Sequence, residues 1–128
     1  MSYVREPRVR YGSEPMEPFA LTIDLAGEWD LSRGNELRPH LQRAASHPRV
    51  VFDLTKVTYI DSNCIGMLMR MRTQRMAKGY PPARLVVTNV NLLRVLLVAA
   101  ADVQWPVFET VDEALRDWKE TARQQFRR

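Results

Sequence analysis

Apolar and polar positions along this chain switch repeatedly between a strand-like and a helix-like period. Phe19 to Leu25 alternates and is rich in β-formers, which predicts a strand, with Gly27 breaking it before Glu28-Trp29-Asp30. Val50-Val51-Phe52-Asp53-Leu54 is a short, nearly continuous apolar run, as expected of a strand covered on both faces. Leu85-Val86-Val87 is a second such run, ending at Thr88-Asn89. Val107-Phe108 forms a short last strand, with Pro106 placed where its missing N–H does little harm.

Between these runs the spacing becomes helical. Leu37, Leu41 and Ala44/Ala45 share one face of a helix from about Arg33 to Ser46, with Ser32 as its N-cap. Pro39 lies inside it, predicting a kink or a late start, and His47-Pro48 closes it. A second helix runs through Ile65, Leu68, Met69 and Met76 to about Lys78, where Gly79 and Pro81-Pro82 end it. Asn91 is placed to cap a third, from Leu92 to about Ala101. Thr110 and Glu113 have capping-box spacing for a fourth, through Leu115, Trp118 and Ala122. Strand and helix alternate, which predicts an α/β fold with helices on a largely parallel sheet.

The ends read differently. Residues 1–18 contain Glu-Pro three times and form an extended segment, with Val9-Arg10-Tyr11 a candidate edge strand. Residues 19–122 carry the strand–helix pattern, and 123–128 form a basic tail.

Composition narrows the function classes. The 128 residues are 45% hydrophobic and 27% charged, a globular balance. No apolar run approaches the roughly 20 residues a membrane span needs, and Arg94 breaks the run from Leu92 to Ala101. The N-terminus is acidic and proline-containing, without an apolar signal core, and Cys64 is the one cysteine; a cytoplasmic protein is expected. The net charge of +4 is spread over both ends and over Arg70, Arg72 and Arg75, which read as a solvated helix face. A nucleic-acid binder would gather charge on one stripe among aromatics, so direct nucleic-acid binding is not expected. The basic balance can instead steer an acidic protein partner.

Candidate chemistry is sparse. His40 and His47 have no serine or cysteine at recognisable motif spacing. The 5 glycines form no phosphate-binding loop, and no cluster has metal-ligand spacing. The reading is of a protein that is not an enzyme and has no cofactor or metal. Asp53 and Asp61 each end a buried segment, where aspartate commonly satisfies loop amides.

Thr58-Tyr59-Ile60-Asp61-Ser62-Asn63-Cys64-Ile65-Gly66 is the most informative stretch. It places Ser62 where a buried strand hands over to a helix, at the positive end of the helix dipole, which accepts a phosphate readily. Two readings stay open. Ser62 is a phosphorylation switch, or Asp61 is simply the N-cap, accepting from the N–H of residue 63 or 64, and Ser62 an ordinary first-turn residue.

The residues also resemble a known family. Leu25-Ala26-Gly27-Glu28-Trp29-Asp30, Val51-Phe52-Asp53-Leu54 followed by Val57-Thr58-Tyr59-Ile60-Asp61-Ser62, and Val107-Phe108 through Glu113-Ala114-Leu115 are similar, in order, to the STAS domain of bacterial anti-sigma factor antagonists. The resemblance implies a STAS fold: a mostly parallel, mixed sheet of about four to five strands with helices mainly on one face. It implies that Ser62 is phosphorylated by an anti-sigma factor with serine kinase activity. The unphosphorylated form would capture that factor and so release a sigma factor, and a serine phosphatase would reset the switch.

By position, Asp30 is expected near Ser62, and Asp30, Asp61, Asn63, Cys64 and Met67 are expected at the partner surface. The chain departs from the family at Asn63, where a second serine is usual, and at Cys64, where glycine is usual. Cys64 reads most simply as a small buried hydrophobe. Met67 and Met71 are expected at the margin or outside of the face formed by positions 65, 68, 69, 72 and 76, able to adapt to a partner; filling gaps beneath neighbouring strands is equally open. Trp29 is a candidate interface anchor, while Trp105 and Trp118 read as packing residues. The alternative function is a STAS-type small-ligand or nucleotide-sensing module.

Overall fold

A computed structural model describes residues 8–13, 20–99 and 105–116. Phe19, Ala101, Trp118, Ala122 and the tail at 123–128 lie outside the described residues. The elements are β1 (Arg8–Ser13), β2 (Leu21–Trp29), a 3-10 turn (Leu31–Arg33), α1 (Gly34–Ala45), β3 (Val50–Ile60), α2 (Ser62–Ala77), β4 (Arg84–Val86), α3 (Val90–Ala99) and β5 (Val107–Phe108), with residues 111–116 helical after them.

One sheet carries all five strands in the order β1-β2-β3-β4-β5. β1 pairs antiparallel with β2, and the remaining neighbours are parallel. Each crossover therefore steps one strand in the same direction. Right-handed crossovers taken always in one direction put every connecting helix on one face. The core follows: Ile23, Phe52 and Leu85 of the sheet share a single buried cluster with Leu37 and Leu41 of α1, Leu68 of α2 and Leu96 of α3. The opposite face is covered by the helical stretch 111–116, whose Ala114 and Leu115 pack on Ala20, Val51 and Val86. Alternation along β3 divides the two layers, with Phe52 on one side and Val51 on the other.

The boundaries correct several expectations. Gly27 does not end β2. It sits at a positive φ of 91° next to a register shift, so the strand bulges there and runs on to Trp29. β3 extends six residues beyond Leu54, because Val57 and Ile60 remain buried while Lys56, Thr58 and Tyr59 face out.

The first helix is capped differently. Asp30, not Ser32, accepts from Ser32 N–H at 3.0 Å to start the 3-10 turn, and α1 proper begins at Gly34 with Pro39 inside it. Asn89 rather than Asn91 caps α3, accepting from the N–H groups of Asn91 at 2.9 Å and Leu92 at 3.2 Å. α2 ends as expected. Gly79, at φ 79°, donates to Met76 at 2.9 Å and Tyr80 donates to Arg75 at 3.0 Å, a Schellman closure.

Arg75 is not a solvated helix residue: it is fully buried. Its guanidinium donates to the carbonyls of Ala44 at 2.7 Å, Pro48 at 3.1 Å and Pro81 at 2.8 Å, and also to that of His47. It thus satisfies the C-terminal carbonyls of α1 and joins two loops at the end of the sheet away from Ser62. Trp29 is likewise inside, 1% exposed, with its indole N–H on the Ala26 carbonyl at 3.2 Å, so it anchors the core rather than an interface.

Candidate functional site

The C-terminal ends of β2 and β3 lie side by side, and the site is built there. Asp61 N–H donates to the Trp29 carbonyl at 3.0 Å, extending the parallel ladder by one bond beyond Ile60. That bond places the start of α2 against the loop after β2. Asp61 then caps α2, its side chain accepting from Cys64 N–H at 2.9 Å, with Ile65 N–H on its carbonyl at 3.0 Å. The N-cap reading of Asp61 is therefore realised at residue 64. It is compatible with an exposed Ser62 as the first helical residue.

Ser62 and Asn63 are exposed. The Ser62 hydroxyl has no hydrogen-bond partner among the described residues. Asn63 reaches the Met67 sulfur at 3.9 Å. Cys64 is fully buried, with its thiol on the Asp30 carbonyl at 3.4 Å. Burial first, and then the negative charge of Asp61, pushes that thiol up to about 12, so it stays protonated and unreactive at neutral pH. Expected at a partner surface, Cys64 instead presents no exposed surface.

Asp30 sits next to this turn, half-buried. Ser32 donates its hydroxyl and its N–H to Asp30 Oδ1. The hydroxyl bond above all holds the Asp30 carboxyl below the ordinary carboxylate range. Asp30 and Asp61 both bear on Cys64, so two carboxylates flank the start of α2. The nearby Arg33 is already paired with Glu36 at 3.2 Å.

Met67 departs from its expected place. It and Met71 are 5% and 2% exposed, turned toward α1, whereas Met76, expected on the inner face, is 51% exposed. A Cβ at Gly34 would lie 3.6 Å from the Met67 sulfur and 3.5 Å from Asn63 Nδ2, so the N-termini of α1 and α2 touch here. Asp30, Asp61, Ser62, Asn63 and Cys64 are thus brought together at one end of the sheet, while Met67 lies just behind them in the α1–α2 seam.

Two residues of this surface are not evident from the sequence pattern. Leu31 is 71% exposed directly after Asp30, and Tyr59 is 51% exposed at the end of β3, opposite Glu28. The available signal was weak: Leu31 stands in a polar turn with no periodic partner, and Tyr59, two residues after Val57, would share its buried face by alternation had a register shift between the two not broken the pattern. Among the described residues, no group of three His, Cys, Asp or Glu side chains is placed to hold a metal ion. No described helix is long and apolar enough to cross a membrane.

Comparisons with known proteins agree with this fold. A solved anti-sigma factor antagonist from Mycobacterium paratuberculosis is similar in fold, with a TM-score of 0.68 at 19% identity over 91% of this chain and 97% of that one. The phosphorylated form of the Bacillus cell fate determinant SpoIIAA has a TM-score of 0.61 at 15% identity, over 84% of this chain and 98% of that one. A STAS-domain containing protein of Pseudomonas aeruginosa (strain UCBPP-PA14) is 40% identical over 53 residues, 41% of this chain. That match spans about half, 52%, of the curated relative's length. The family model described as "Mlab, STAS domain" matches residues 14–104. With strand order, crossover direction and the capped start of α2 all in place, the chain belongs to the STAS domain family.

Proposed function

We propose that this chain is an anti-sigma factor antagonist switched by phosphorylation of Ser62. In this reading the unphosphorylated form binds an anti-sigma factor with serine kinase activity and so releases a sigma factor. A serine phosphatase restores the binding form. The observation that carries it is the exposed Ser62 hydroxyl, without a partner among the described residues, on the first turn of a sixteen-residue helix at the strand ends that also carry exposed Leu31 and Tyr59.

Phosphorylation adds about 1.5 to 2 negative charges. The helix N-terminus offsets part of this, by roughly 0.3 to 1 kcal/mol. Asp30 and Asp61 stand beside it and Arg33 is engaged with Glu36, so among the described residues no free cation of this turn neutralises the rest. The domain tolerates the charge because it is in solvent. A partner surface pressed over Ser62 does not, because an unpaired charge buried in an interface costs several kcal/mol. A hundredfold loss of affinity needs only about 2.8 kcal/mol. Leu31 and Tyr59 supply apolar area for the contact, and Asp30, Asp61 and Asn63 its polar rim.

The test is to incubate the chain with candidate anti-sigma kinases and ATP, map the modified residue by mass spectrometry, and measure partner affinity. Ser62→Ala should bind constitutively and Ser62→Asp weakly. Equal affinities for the two variants, or phosphate on another residue, would refute the proposal.

A second reading, small-ligand sensing, has one observation in its favour. A cleft of about 780 Å3 opens at the ends of β4 and β5, walled by Val87, Val90, Leu93 and Phe108 with Glu109 and Glu113 at its edge. The ends of parallel strands are where open α/β sheets hold ligands. Its carboxylates oppose a nucleotide's phosphates. Equilibrium binding of ATP and GTP separates the readings, since micromolar affinity for either would favour sensing.

A further inference from the structure

A groove of about 330 Å3 runs between α1 and α2, behind the Ser62 surface. Leu41, Met67 and Met71 form its floor, and Arg38 and Gln42 of α1 and Arg70 and Gln74 of α2 line its sides. Both arginines are exposed, and among the described residues neither has a hydrogen bond, ion pair or ring contact. No carboxylate lines the groove. Glu36, the acidic residue on α1, is held by Arg33. Two guanidinium groups without a partner among the described residues therefore stand one on each helix beside a buried apolar floor.

That arrangement specifies an occupant. It must be apolar where it meets the floor and acidic on both flanks. α1 and α2 are successive crossovers whose N-termini touch at Gly34, Asn63 and Met67, so they run side by side and leave a trough. Such a trough accepts the apolar stripe of a third helix. Methionine sulfurs on the floor let it adjust to side chains of different shape. A nucleic-acid backbone would need several cations and would leave the floor facing polar groups. A bilayer surface would not reach into a concavity. We propose that the α1–α2 groove docks an acidic amphipathic helix of a partner protein, gripped by Arg38 and Arg70.

This inference does not depend on Ser62 being modified, since Arg70 lies eight residues further along α2, about 12 Å away along the axis. The test uses the full chain and a fluorescein-labelled helical peptide of roughly 15 residues, with leucines at i, i+4 and i+7 and glutamates on both flanks. Saturable binding is expected. It should weaken at least about tenfold in the double variant Arg38→Glu/Arg70→Glu and fall with added salt, with Arg116→Gln, exposed on the helical stretch of the opposite sheet face, binding like the parent chain. A copy with lysine in place of glutamate should not bind.

Absence of saturable binding overturns the proposal, as does equal binding of the lysine copy or unchanged affinity in the double variant. Preferential binding to an RNA oligonucleotide or to anionic phospholipid vesicles, lost in the same variant, also overturns it. Should Arg38→Glu/Arg70→Glu lose its native circular dichroism, Arg38→Gln/Arg70→Gln carries the same comparison. A failed kinase experiment at Ser62 leaves each of these outcomes readable.

Discussion

The backbone N–H of Asp61 donates to the carbonyl of Trp29 at 3.0 Å. This bond joins the last turn before α2 to the loop carrying Asp30. Two segments more than thirty residues apart thereby share one rigid corner. Cys64 reinforces it from below, with its thiol on the carbonyl of Asp30 at 3.4 Å. The corner is held by this backbone bond and by the Asp61 and Cys64 side chains, while Ser62, Asn63 and Leu31 remain exposed.

The corner depends on the Asp61 cap. Asp61→Ala removes the acceptor for Cys64 N–H and should cost about 1 kcal/mol, lowering Tm by roughly 4 °C. Asp61→Asn should retain most of the stability. Thermal melts of the two variants decide this, and equal losses in both would show that charge rather than capping matters.

A charge at Ser62 should be tolerated in the free protein. Ser62→Asp faces solvent and places an acid at the positive end of α2, beside Asp61, so the favourable and unfavourable terms oppose each other. Its unfolding free energy should lie within about 1 kcal/mol of the parent chain in urea titration. A larger loss would mean that phosphorylation acts by unfolding and not at an interface.

Cys64 should be inert. Its thiol is buried and pushed up to about 12, so iodoacetamide at pH 8 should leave the folded protein unmodified while labelling it rapidly in denaturant. Mass spectrometry of the two samples reads the difference. Rapid labelling of the folded chain would show that this corner opens.

Arg75 should be among the most sensitive positions for stability. Arg75→Met removes the guanidinium that donates to the carbonyls of Ala44, His47, Pro48 and Pro81 and should destabilise by about 2 to 4 kcal/mol. Lysine cannot reach four acceptors with a planar fork, so Arg75→Lys should recover only part of the loss. Urea denaturation midpoints provide the measurement.

Acidification should weaken the fold through the histidines. Burial holds both His40 and His47 below the ordinary value of 6.5. Between the folded and unfolded values the unfolded chain binds more protons, so stability rises with pH there. The contribution is complete above about 6.5 and is lost as pH falls through and below that value. Tm should therefore drop between pH 7.5 and 5.5, and the double variant His40→Gln/His47→Gln should show a shallower drop.

The strand–helix order, the α/β class and the position of Ser62 at a strand-to-helix handover were set by local sequence. Apolar runs such as Val50-Val51-Phe52 can be satisfied only inside a sheet, and Asp61 next to a helical pattern can cap it without distant help. The family resemblance rested on the same local segments. Tertiary structure alone decided what lies on which side. Met67 and Met71 turned inward because α1 packs across them, Arg75 became buried because the carbonyls at the end of α1 converge on it, and Trp29 filled the core because a bulge at Gly27 carried β2 two residues further. These outcomes depend on neighbours far away in the chain, and periodicity reports only which residues share a face, not which element will cover it.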